Sequence, residues 1–154
     1  MKRSTHVLFG VSLAIFLLNP QPINIINIII SSVIGSYLPD VDLKIKHRMV
    51  MHNIFVPIIF SILIYSSQIY IPIHGLLTIL IAFNIGFLSH ILLDMFTYAG
   101  VAFFYPLSSK RYRLAKLRSN SQLANVIFSI IALLLIFMWA YRNKLINTKP
   151  IGLQ

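Results

Sequence analysis

The chain contains three acidic residues, Asp40, Asp42 and Asp94, and no glutamate. Each stands close to a histidine: Asp40 and Asp42 precede His47 and His52, and Asp94 follows His90. Acids spread for solubility would fall among the basic residues Lys110, Arg111, Arg113, Lys116 and Arg118, and none does. His90 and Asp94 are spaced i and i+4, which places them on one face of a helix. A structural His–Asp pair is the plain alternative for those two residues alone. In Leu38-Pro39-Asp40-Val41-Asp42 two carboxylates sit two positions apart, after a proline that stops a helix. Such carboxylates repel unless a positive charge lies between them, and a divalent ion commonly supplies it. Otherwise Asp42 caps a short helix, and both acids pair with nearby Lys or Arg. His6 near the start is the kind of histidine that often marks only a membrane interface. His74 serves as an internal control.

The elements that carry these residues follow from composition. Of the 154 residues, 58% are hydrophobic and 10% are charged, against about 25% charged in an ordinary soluble domain. So short a chain cannot hide that much apolar surface from water, so lipid is its expected solvent. The expected fold is all-α: one integral membrane domain over residues 1–154, with about five transmembrane helices near residues 5–18, 23–37, 52–70, 74–96 and 122–141. The second run is rich in Ile, but a lone strand in lipid would leave its backbone unpaired, so a helix is expected. The basic start followed by an apolar run has the outline of a signal peptide. No small-x-small site follows Leu18, however, and the segment is read as a retained first helix. The absence of cysteine excludes disulfides and thiolate zinc sites.

The net charge is +10, from 13 Lys+Arg. Nucleic acid is one partner for such a balance, but here the basic residues sit in short tracts between apolar runs, the pattern of helix ends at anionic lipid. A cytoplasmic N-terminus puts Lys2, Arg3, Lys44, Lys46, Arg48 and the five basic residues of the 97–120 loop inside. The turns at 19–22 and 71–73 then lie outside without charge, and only Arg142, Lys144 and Lys149 are on the outer side. The positive-inside rule favours this orientation in the inner membrane. It gathers His6, Asp40, Asp42, His47, His52, His90 and Asp94 at the cytoplasmic face, from four segments. Imidazole and carboxylate together suit zinc, manganese or iron, and a ligand set without sulfur suits hydrolysis. Seven ligands accommodate two or three ions.

The ordered motifs resemble a family. Thr5-His6, Leu38-Pro39-Asp40-Val41-Asp42, His47-Arg48 with His52, Gly86-Phe87-Leu88-Ser89-His90-Ile91-Leu92-Leu93-Asp94, Phe96-Thr97-Tyr98-Ala99-Gly100-Val101 and Tyr105-Pro106-Leu107-Ser108 look like those of the YdjM-like membrane-bound hydrolases. That family is also described as LexA-binding and inner-membrane-associated. It is similar, more distantly, to zinc-dependent phospholipases C, whose clustered His and Asp ligands hold zinc around a phosphodiester. Where the family often reads H-R-G-x-T-H-S, this chain has His47-Arg48-Met49-Val50-Met51-His52-Asn53, keeping both histidines and replacing the Gly, Thr and Ser. The resemblance implies a metal-dependent hydrolase of phosphoester bonds in lipids or lipid-linked molecules, with zinc as the first expectation. Water activated by the ion is the expected nucleophile, and Asp40 or Asp42 bridges ions or acts as base. Arg48, Arg111 and Arg113 are the candidate phosphate-binding residues. The rival expectations are a metal-ion or proton transporter, in which intramembrane acids line a path, and a non-catalytic membrane anchor or regulator.

Overall fold

The computed structural model describes residues 1–44 and 50–145, the side chains of residues 42–44 excepted. Among them the α-helices are α1 (Arg3–Leu18), α2 (Ile25–Tyr37), α3 (Phe55–Ser66), α4 (Leu76–Met95) and α5 (Gln122–Arg142). The 3₁₀ turns Pro22–Asn24, Leu38–Lys44 and Ser67–Ile69 extend the ends of α2 and α3. The described residues contain no strand, only isolated bridges pairing Thr97 with Leu117 and Val101 with Tyr112. The all-α expectation holds, and the Ile-rich second run is a helix.

Three helical stretches are long and apolar enough to cross a membrane: Pro22–Val41, Leu76–Met95 and Gln122–Arg142. Arg3–Leu18 and Phe55–Ile69 are apolar but shorter. At 1.5 Å per residue, the 16 residues of α1 span about 24 Å, against about 30 Å of hydrocarbon.

Local chemistry sets the helix ends. Asn19 closes α1 in the left-handed region, its N–H donating to the Ile15 carbonyl, and Pro20 prevents continuation. The Asn53 side chain accepts hydrogen bonds from the backbone of Phe55 and Val56 at 3.0 and 3.1 Å. That cap starts α3 at Phe55 and leaves His52 in the segment ahead of it, not in the helix. Ser121 caps α5 by accepting from the Ala124 N–H.

α4 is the central helix, packed against α1, α2 and α3, while α5 packs against α1. Small residues let α2 and α4 approach closely. A Cβ at Gly35 would overlap the Phe83 carbonyl, and one at Gly86 would overlap the Ser32 backbone. Ser36 sits on the same seam and donates from Oγ to the Gly86 carbonyl. At the opposite end, Trp139 donates from Nε1 to the Pro20 carbonyl and ties α5 to the turn after α1. Outward, α5 exposes Leu123, Val126, Ile130, Leu133, Leu134 and Phe137. A helix apolar on its open face as well as its packed one belongs in lipid.

Candidate metal centre

The helix order brings five of the seven sequence-derived ligands to one end of the bundle. His6 comes from the first turns of α1. Asp40 lies on the 3₁₀ turn after α2, His52 in the segment before α3, and His90 and Asp94 on the last turns of α4. His52 and His90 are fully buried, and His6 and Asp94 nearly so. Asp40 is partly open, its side chain 11% exposed. Two groups have donor atoms close enough to share an ion: His6, His90 and Asp94, and Asp40, His52 and His90. His90 belongs to both.

The spacings fit a shared ion better than direct pairing. His6 Nε2 lies 3.4 Å from Asp94 Oδ1, and His52 Nε2 lies 3.4 Å from Asp94 Oδ2. His90 Nε2 is 3.6 Å from Asp40 Oδ1 and 3.7 Å from Asp94 Oδ2. Charge-assisted N–H···O bonds run at about 2.7–2.9 Å. Donors held about 2.0–2.2 Å from one tetrahedral ion stand about 3.3–3.6 Å from each other.

The hydrogen bonding of His90 points the same way. Its Nδ1 lies 2.7 Å from the Ser36 carbonyl. A carbonyl only accepts, so Nδ1 carries the proton, and in the neutral ring Nε2 presents a lone pair. That lone pair faces two carboxylates, which also only accept. A cation between them resolves the mismatch, and a carbonyl bonded to the far nitrogen is the usual orienting partner of a metal-bound histidine. His90 Nε2, His6 Nδ1 and both nitrogens of His52 have no hydrogen-bond partner among the described residues. His6 stacks on His90 with ring centroids 4.0 Å apart, and His52 meets His90 edge-on at 5.3 Å. The residues present could therefore hold a divalent ion. Other cations also stand close: the Met1 amino group lies 3.6 Å from Asp94 Oδ1, and Arg3 Nε lies 3.5 Å from Asp40 Oδ2.

Of the remaining sequence-derived residues, Asp42 has its backbone on the same 3₁₀ turn as Asp40, but its side chain is not among those described. His47 and Arg48 lie outside the described residues. Arg111 and Arg113 are exposed on the segment between α4 and α5, where Arg111 donates to the Ala99 carbonyl at 3.1 Å. His74 is exposed just before the far end of α4, about 21 Å along the helix axis from His90.

Sequence reasoning missed two contributors. Arg3, read only as a topology charge, stands at the rim of the cluster, its guanidinium also 5.8 Å from the Tyr37 ring centre. Its spacing of three from His6, one helical turn, was the available signal. Ser36 acts through its backbone carbonyl, which no residue type announces.

A family model described as YdjM inner membrane protein matches residues 1–149. We found no match among curated proteins or solved structures.

Proposed function

The chain belongs to the YdjM inner membrane protein family, and from that premise we propose that it is a multispanning, metal-dependent hydrolase of phosphoester bonds in lipids or lipid-linked molecules. Its site holds two or three divalent ions, zinc in the first place and manganese or iron as alternatives. The observation that carries this reading is His90, whose Nε2 faces two carboxylates while its Nδ1 is committed to the Ser36 carbonyl.

When bound, a divalent ion supplies Lewis acidity: it polarises a phosphoryl oxygen and makes water a nucleophile near neutral pH. The chain's own residues do the rest. The single free lone pair of His90 would serve one ion at a time: His6, His90 and Asp94 would form one ligand set, or Asp40, His52 and His90 the other. Their burial excludes bulk water from all but one side. Asp40 is the most open of the five, so it is the carboxylate that meets the substrate and takes a proton; Asp42 and His47 are the remaining candidate ligands. Arg3 at the rim, together with Arg48, Arg111 and Arg113, offers planar donors to phosphate oxygens.

The packing beyond the cluster argues against a transport path. Ser12, Ser32 and Ser89 each donate to carbonyls of their own helix. The far half of the bundle is closed by Ala14, Ile15, Ile28, Ala82 and Trp139. Among the described residues, the buried ionisable side chains His6, His52, His90 and Asp94 thus all lie at one end.

The activity test is hydrolysis by pure, metal-loaded protein on a panel of phosphomonoester and phosphodiester lipids. No turnover across that panel would remove the enzyme reading. Topology is tested separately. Because the chain has no cysteine, single cysteines at the exposed positions Val41, Ser109 and Gln21 can be labelled in intact cells and inverted vesicles. Val41→Cys and Ser109→Cys should react only from the cytoplasmic side and Gln21→Cys only from the other. Labelling of positions 41 and 21 from the same side would mean that α2 does not cross.

A further inference from the structure

We infer that the segment between α4 and α5, residues 96–121, is a membrane-seating surface that lies in the bilayer interface and binds anionic phospholipid headgroups beside the His/Asp cluster. This rests on the membrane reading above and on no step of the proposed hydrolysis.

The segment is built, not slack. Thr97 is fully buried and bonds through N–H and Oγ1 to the Asp94 carbonyl. Leu114 N–H donates to Met95 and Leu117 N–H to Phe96. Val101 and Tyr112 exchange both backbone bonds, and Ile54 N–H donates to the Phe103 carbonyl. The backbone therefore folds back over the end of α4 and fixes which side chains point away.

Those outward side chains are of two kinds. Leu107 is 80% exposed, Tyr98 57%, Leu114 56% and Phe104 43%. Interleaved with them, Lys110, Arg111, Arg113, Lys116 and Arg118 are all exposed, and no acid occurs anywhere between residues 96 and 121. Apolar side chains held rigidly outward among cations match a bilayer interface, where acyl chains take the first kind and phosphates the second. Long basic side chains reach the headgroups while their stems lie in the apolar layer.

Position and charge select lipid over other occupants. The segment joins the ends of two membrane-length helices, so it emerges at headgroup depth. Lys2 and Arg3, also exposed, start α1 at the same end. A second copy docked face to face would oppose the same five cations to themselves, since an isologous contact pairs a surface with its own kind.

The test uses the full chain reconstituted in vesicles of zwitterionic phospholipid, with and without anionic phospholipid. Nitroxides are placed at Leu107→Cys and Leu114→Cys, exposed positions in a chain without native cysteine. Both labels should be more accessible to oxygen, which partitions into lipid, than to an aqueous nickel chelate. Spin-labelled anionic lipid should be enriched around the protein over zwitterionic lipid. Glutamine at Lys116 and Arg118, exposed cations with no part in the proposed hydrolysis, should cut that enrichment by about five-fold per charge removed, with the helical circular dichroism unchanged. Labels freely reached by the nickel chelate would place the segment in water and overturn the proposal. Labels shielded from both probes would mean that protein covers it, which overturns it equally. Unchanged lipid enrichment in the glutamine variants would show that the cations do not bind headgroups and would also reject it.

Discussion

Asp40→Asn is expected to lower metal-dependent phosphate or headgroup release by about 10²–10⁴-fold, the range for loss of a general base. Asp94→Asn should abolish release as completely, by a different route. Its oxygens stand within 3.4–3.7 Å of His6, His52 and His90, so an amide there removes the one anion shared by the three rings. Groups that act through one centre are not additive, and the double variant should be no slower than the slower single one. Both proteins should stay folded in detergent, because asparagine matches the shape of aspartate and costs less to bury than an ionised carboxylate. Circular dichroism and the thermal midpoint check that point alongside the initial rates. A double variant slower by the product of the two single effects would show that the carboxylates act independently, against a shared centre.

Metal content should divide the histidines in a graded way. His90 belongs to both candidate ligand groups and would be a ligand whichever of them holds the ion, whereas His6 belongs to one and His52 to the other. Elemental analysis of purified protein should therefore show the largest loss for His90→Ala, with His6→Ala and His52→Ala each keeping part of the metal. Removal of even an outer hydrogen-bonding partner typically costs about 10–100-fold in metal affinity, so loss of His90 itself should exceed that range. His74→Ala should match the wild type, since His74 is exposed near the start of α4, far from the cluster. Equal metal loss in the His74 and His90 variants would dissolve the picture of a single layer of ligands.

Ser36 shows how the seam between α2 and α4 enters this chemistry. Gly35 and Gly86 allow the backbones to touch, which brings the Ser36 carbonyl within 2.7 Å of His90 Nδ1. The tautomer that frees Nε2 is thus set by helix packing. Close packing of small residues, common between membrane helices, here also orients the His90 ring.

Much of this protein is legible along the chain, because the controlling properties are local. Whether a run can enter lipid depends on its length and apolarity, so the all-α membrane architecture follows from residues 23–37, 74–96 and 122–141 without knowledge of their neighbours. The pairing of His90 with Asp94 follows from helical periodicity, and the confinement of all three acids beside histidines marks out residues that could hold an ion. The alternation of basic and uncharged turns places those motifs at one end of the bundle. What the sequence leaves open is three-dimensional. It does not say that His90 is common to two ligand groups, that His52 precedes its helix because Asn53 caps it, or that Arg3 reaches Asp40. Those facts depend on the rotation and depth of each helix against the next, which are set by backbone contact at Gly35 and Gly86. They depend also on a carbonyl at Ser36 that every residue type possesses alike, and a group common to all residues leaves no mark in a sequence.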